Sequence, residues 1–353
     1  MTTPSAPLPQ VALAPGYSIP RLIKGGWQLA GGHGSVDGDA ALRDMFAFAD
    51  AGITAFDCAD IYTGVEELIG RFLRAWRNQR GSDAATIRVH TKCVPDLDRL
   101  ATLTRRDVNS LIDRSLQRLG VERLDLVQLH WWDYNLGAVV DAALHLRDLQ
   151  RAGKIDQIGV TNFNTPQLTA LLEAGVPIVS HQVQVSLLDA RALRTMATVC
   201  ESRGIGLLAY GALAGGFMHE RWLGAAEPTE PLENRSLVKY KLIIDDFGGW
   251  ALFQRLLAAL DQIALTHQTT IGAIALRHVL DQPPVAAAIV GARHAGHLPA
   301  TLAATTVSLS ADERSALHAI LGVTTGPLGD VYDLERDKGG RHASIMRYNL
   351  NTT

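Results

Sequence analysis

The sequence predicts a (β/α)8 barrel of the TIM type, on three observations. Short runs rich in Val, Ile, Leu and Ala alternate with amphipathic stretches along most of the 353 residues. Those runs show little polar alternation, as strands buried on both faces should. No composition break and no Gly/Ser linker divides the chain. One α/β unit over 1–353 is therefore expected, with the barrel at about 20–322.

Strands are predicted over Leu22 to Trp27, Ile53 to Asp57, Ile87 to Lys92, Leu124 to His130, Gln157 to Thr161, Ile178 to Val183, Ile205 to Tyr210 and Ala286 to Val290. Between them, helix faces recur at a 3.6-residue period. Leu68, Ile69, Phe72, Leu73 and Trp76 share one face, and Val108, Leu111, Ile112, Leu116 and Leu119 another. Thr104 with Asp107 reads as a capping box opening the second of these, and Gly120 as its stop. Thr165 followed by Pro166 reads as an N-cap and first helical residue, ahead of Leu168, Leu171 and Leu172. Further helices are expected at 136–152, 190–203, 252–266, 271–280 and 311–321. Two stretches fall outside the repeat. Residues 214–249, after the seventh strand, read as a long lid or substrate loop, and 323–353 as an irregular tail that packs on the barrel mouth.

Composition narrows the function classes. Lys and Arg number 33 against 36 Asp and Glu, a net charge of −3, with no block of like charges. That balance argues against nucleic acid or an anionic membrane as partner. No apolar run reaches membrane-spanning length, and the first residues lack the basic and apolar parts of an export signal, so a cytoplasmic protein is expected. Cys58, Cys93 and Cys200 are odd in number, far apart and without CxxC spacing, which suits idle thiols better than disulfides or zinc.

In a barrel of this kind the chemistry sits at the C-terminal ends of the strands. The second strand leads into FDCADIY, bearing Asp57, Asp60 and Tyr62; the third ends at Lys92 and the fourth at His130. Each has a structural alternative: a helix cap for Asp57, a rim aromatic for Tyr62, a solvated lysine, a core histidine. Four ionisable residues at three successive strand ends are hard to explain as unrelated structural choices. Tyrosine is a weak acid at neutral pH, and a neighbouring ammonium lowers its pKa. Lys92 is placed to do this for Tyr62, Asp57 to hold Lys92, and His130 to donate to a carbonyl oxygen. Such a set protonates a carbonyl while hydride arrives from elsewhere, which requires a nicotinamide. Yet GGHG at 31–34 is not GxGxxG, and no P-loop occurs. The dinucleotide would lie against the loops after strands seven and eight. No HExxH occurs, and His294 and His297 read as scattered, so no metal is expected.

FDCADIY with Lys92 and His130, then IGVTNF (158–163), HQVQ (181–184) and LLAYGALAGG (207–216), resembles the aldo-keto reductase superfamily over roughly residues 20 to 322. The resemblance implies an NAD(P)H-dependent oxidoreductase acting on a small-molecule carbonyl, alcohol or sugar. It implies a tetrad of Asp57, Tyr62, Lys92 and His130, with Tyr62 as general acid in reduction and base in oxidation. Thr161, Asn162 and Gln182 would hold the nicotinamide carboxamide, and Tyr210 would stack on its ring. Gly211, Leu213 and Gly215 would follow the pyrophosphate, with Gly26 and Trp27 near the ribose and substrate. The chain departs from the family after the eighth strand, where Val290, Gly291, Ala292 and Arg293 are followed by no carboxylate or amide for the adenine end. Arg293 can pair with a 2′-phosphate, which favours NADP and leaves NAD open. His181 replaces a common Asn, and Cys93 a common aromatic. Trp27, Trp131 and Trp132 are candidate walls of a substrate pocket. Two rival readings stand beside the enzyme: a reductase-like regulatory subunit that keeps the cofactor, and a barrel aldolase or isomerase using Lys92 or His130 without one.

Overall fold

The computed structural model describes residues 7–30, 36–81, 85–229, 231–291 and 294–351. A hairpin, β1 (Gln10–Ala14) and β2 (Tyr17–Pro20), comes first and turns at Gly16, whose φ of 74° suits glycine. Eight parallel strands follow: β3 (Leu22–Gly25), β4 (Ala55–Asp57), β5 (Arg88–Cys93), β6 (Leu124–Leu129), β7 (Ile155–Thr161), β8 (Ile178–Gln184), β9 (Gly206–Tyr210) and β10 (Val285–Val290). They close in the order β10-β3-β4-β5-β6-β7-β8-β9, so the predicted barrel is the observed one.

The hairpin closes the N-terminal end of the barrel. Leu13, Tyr17 and Ile19 bury against Ile23, Ala55, Leu126, Leu208, Ala286 and Ala287, the inward residues at the strand starts. It lies ahead of the first expected strand and carries no helical period, so the sequence reading passed over it.

The helices are α1 (Gly38–Asp50), α2 (Val65–Arg80), α3 (Arg105–Leu119), α4 (Val139–Arg151), α5 (Thr165–Glu173), α6 (Thr195–Arg203), α7 (Arg235–Phe247), α8 (Gly249–Thr266), α9 (Ile271–Leu280), α10 (Leu298–Thr306), α11 (Ala311–Leu321) and the short α12 (Asp333–Arg336). The expected apolar faces of α2 and α3 point inward, and Thr104 and Asp107 form the reciprocal capping box. Several expectations need correction. The cap of α5 is Asn164, whose side chain accepts from Gln167 N, so Pro166 is the second helical residue. Residues 190–203 break into a turn at Arg191–Leu193 and then α6. Residues 214–249 are not one open loop. They contain α7, whose Leu237, Tyr240, Ile243, Ile244 and Phe247 bury against α8, α9 and α11, and only an edge bearing Arg235 and Lys239 turns to the mouth. The tail is irregular apart from α12 and a turn at Arg341–Ile345, and it does lie on the mouth.

No helix among the described residues is long and apolar enough to cross a membrane. Cys58, Cys93 and Cys200 are buried, and burial raises each thiol's pKa, which suits the idle reading.

Candidate active site

The side chains at the barrel mouth follow from strand register. Alternate residues of a strand point to one side, so Lys92 sits one layer above His90, and Gln128 below His130. Lys92 is registered beside Gln128, and Asp57 ends the adjacent β4. Asp57 gathers this layer: Oδ1 accepts from Lys92 Nζ at 2.6 Å, and Oδ2 from Gln128 Nε2 at 3.1 Å and Gln182 Nε2 at 2.6 Å. Lys92 also donates to Cys58 O at 2.8 Å. Four strands thus tie one buried carboxylate to one buried ammonium. Burial alone would lower the Lys92 pKa, but Asp57 outweighs it and holds the ammonium above its ordinary value.

Tyr62 follows β4 in a turn whose amide bonds back to Ala59 O. Lys92 Nζ lies 5.1 Å from the centre of its ring, and the Trp27 ring packs 5.0 Å away. Trp27 reaches there because Gly26 presses its backbone onto the end of β4: its N–H donates to Asp57 O at 2.7 Å, and a Cβ would stand 2.7 Å from that oxygen. The expected lowering of the phenol is only part of the balance. Burial pushes the Tyr62 pKa up, Lys92 pulls it back, and the result stays above the ordinary value. The Tyr62 phenol is therefore protonated at ordinary pH. Asp60 does not join the set: it accepts from Val94 N, and burial pushes its pKa up to about 8.

His130 is buried, and burial followed by the Arg336 charge pushes its pKa down to about 3, so the ring is neutral. Nδ1 lies 3.2 Å from Thr161 O. A carbonyl oxygen only accepts, so Nδ1 carries the proton and Nε2 a lone pair. Trp132 packs edge to face on the imidazole at 4.3 Å and donates to Pro95 O. Trp131 does not reach the mouth: it is fully buried, and its indole donates to Leu136 O.

The residues expected to hold a nicotinamide lie together on the far side of the mouth. Asn162, at φ 60°, accepts at Oδ1 from the Tyr210 hydroxyl at 2.9 Å; left-handed backbone suits Asn better than most side chains. Thr161 ends β7, and Gln182 stands beside it in register. His181 accepts from Phe163 N, fixing the turn that presents Asn162. Gly211 and Gly215 both have positive φ, and a Cβ on either would strike Tyr240, so the backbone passes Tyr240 closely; half-buried Leu213 lies between them. At Gly291 a Cβ would strike the Gln28 amide. A half-buried aromatic face beside the half-buried Asn162 amide and the buried Gln182 amide fits a nicotinamide. Arg293 and the GGHG segment at 31–34 lie outside the described residues.

Residues 21–321 match the model of the aldo/keto reductase family. The chain belongs to that family. The aldo-keto reductase YhdN of Bacillus subtilis is 27% identical over 89% of this chain and 94% of its own length. Flagellar radial spoke protein 5 of Chlamydomonas reinhardtii is 30% identical over 68% of this chain, which spans about half of that longer relative (51%). Among solved structures, a glycerol dehydrogenase from Gluconobacter oxydans superposes with a TM-score of 0.73 at 25% identity, over 89% of this chain and 95% of that one. This aldo-keto reductase is accordingly an NAD(P)H-dependent oxidoreductase.

Several residues around the reductase site escaped the sequence reading. Gln128 could have been found, because it precedes His130 by two on the same face of β6. The cover could not. Tyr332, at φ 63°, sets its ring 5.7 Å from His130, and Arg336 stacks 4.2 Å from Tyr134 while donating to Trp131 O. Buried Glu335 meets Arg191 at 3.2 Å, and Arg191 also holds Asp189 at 2.8 Å. Lys239 of α7 stands 4.9 Å over the Tyr210 ring. His294 and His297, read as scattered from the sequence, stack at 4.6 Å.

Proposed function

We propose that this reductase interconverts an aldehyde, ketone or sugar carbonyl with its alcohol, with Tyr62 passing the proton. The nicotinamide, when bound, supplies or takes up the hydride. Tyr62 Oη gives its proton to the carbonyl oxygen in reduction and takes it back in oxidation. Lys92 stabilises the phenolate left behind, and Asp57 keeps Lys92 charged and aimed. Asn162, Thr161 and Gln182 hold the carboxamide, Tyr210 packs on the ring, and Gly211, Leu213 and Gly215 follow the pyrophosphate. Trp27 and Trp132 wall the substrate.

The observation that carries this reading is Lys92: a buried ammonium 2.6 Å from Asp57 with its charge against the Tyr62 ring. A merely structural ion pair would have no need of a phenol beside it. The Gluconobacter relative is named for glycerol, which supports an alcohol among the substrates here. NADP is the proposed dinucleotide, because Arg293 follows the last strand and its guanidinium can pair with a 2′-phosphate. Titration of tryptophan fluorescence with NADPH and with NADH tests this. NADPH is expected to bind at least about tenfold more tightly; equal affinities would remove Arg293 from the reading, and binding of neither would remove the redox role.

A further inference from the structure

Gln128 and Gln182 share Asp57 in a way that leaves one amide oxygen unspent. A carboxylate only accepts, so each Gln turns its Nε2 to Asp57 Oδ2, at 3.1 Å and 2.6 Å. Gln182 gives its second amide proton to Gln128 Oε1 at 3.2 Å. One bond alone would let the Gln182 amide swing about the line to Asp57, whereas two acceptors in different places fix its plane. Gln182 Oε1 accepts from no described residue. The backbone oxygen of Gln182 accepts from Asn162 N at 3.0 Å, which keeps the residue against the turn bearing Asn162.

The barrel wall makes room for this amide. Gln128 is fully buried, where an apolar side chain would fill the space without polar atoms to satisfy. Across the β6–β7 register it faces Gly159, and a Cβ there would stand 3.2 Å from Gln128 Cγ and 2.6 Å from Ser180 Oγ. Both ends of the Gln128 amide are used inside the layer, one on Asp57 and one on Gln182.

We infer that Gln128 is a positioning residue for the dinucleotide: it fixes the Gln182 amide so that Oε1 accepts an NH2 proton of the nicotinamide carboxamide. The inference rests on the reductase reading and adds to it a residue that acts through another. The carboxamide carbonyl has no proton to give Oε1, so recognition at this point falls on the NH2 group alone.

Tryptophan fluorescence titration with NADP+ and with its 3-acetylpyridine analogue, whose methyl ketone lacks the NH2, tests this. The NAD+ pair serves if NADH is the tighter ligand. Wild type is expected to bind the carboxamide form about tenfold more tightly, the size of one hydrogen bond. Equal affinities would overturn the inference without any variant. In Gln128→Met, close to Gln in length and lacking the amide, that preference is expected to fall to about threefold or less. A merely structural Gln128 would weaken both ligands alike and leave the ratio near tenfold, which would overturn the part given to it. The wild-type 1H–15N spectrum of side-chain amides, assigned through Gln182→Met, reads the link directly. Both Gln182 amide protons are expected to resist solvent exchange, and one that exchanges freely overturns the link. Binding of neither NADP+ nor NAD+ would overturn the reductase reading, and this inference with it.

Discussion

Two buried ion pairs stand at the mouth of this barrel, and they are put together differently. Lys92–Asp57, at 2.6 Å, joins neighbouring strands, and the pleat and register that build the sheet also bring the two charges together. Arg191–Glu335, at 3.2 Å, joins the loop after β8 to the tail, across 144 residues of chain. The first pair is tied into a network from four strands and lies against Tyr62. The second lies beneath Tyr332, clasping a cover onto a rim already complete without it. A barrel can thus fix its reacting groups by local geometry and leave the shape of the pocket to a segment returning from far along the chain.

The rim is the place to break first. Tyr62→Phe is expected to lower kcat by about 10²–10⁴, the usual contribution of a positioned acid, with nicotinamide affinity within about twofold. Single-turnover rates beside fluorescence titration check this, and near-normal turnover would take Tyr62 out of the mechanism. Lys92→Met strikes both members of the rim at once. It leaves Asp57 charged, buried and unpaired, which should destabilise the fold by about 3–5 kcal/mol in urea melts. It also removes the charge that draws the Tyr62 pKa down, so the basic limb of the alcohol-oxidation profile should move to higher pH. A profile that stays in place would assign the tuning to another group.

That contrast between rim and cover also decides what could be read from sequence. Asp57, Lys92 and His130 end apolar strands, where position along the strand dictates position on the rim, and Tyr62 follows Asp57 at short range. The barrel was legible for the same reason, since strand and helix periods are local. The hairpin floor and the cover were not. Nothing near Glu335 in sequence names Arg191 as its partner, and Tyr332 meets His130 only after the chain has closed the barrel. The direction of the Tyr62 pKa and the tautomer of His130 were illegible for another reason. Both depend on how much solvent neighbouring chains exclude, and on which carbonyl lies beside a ring.

The cover should be softer than the rim. In Glu335→Gln, Arg191 keeps Asp189 at 2.8 Å, so its guanidinium is not left unpaired as Asp57 would be. A loss of about 1–3 kcal/mol is expected, the range for one buried charged hydrogen-bonding partner. KM should rise more than kcat falls, because Tyr332 would hold its place against His130 less firmly. A loss as large as that of Lys92→Met would mean that the cover is part of the folding core and not a clasp upon it.

The last effect is a slope with pH. Asp60 stands beside the rim without joining it, and burial raises its pKa to about 8, against about 4 in an unfolded chain. Between those values the folded protein binds a proton that the unfolded chain has released. The stabilisation is therefore full below about pH 4 and is lost as pH rises through 8, by at most about 1.4 kcal/mol per pH unit. Lys92, whose ammonium Asp57 holds above its ordinary pKa, stays charged across that window. Asp60→Asn should flatten the fall in urea midpoint between about pH 5 and 8 while leaving the Tyr62-dependent rate profile where it was. An unchanged slope would locate the titrating group elsewhere, and a moved rate profile would bring Asp60 into the rim after all.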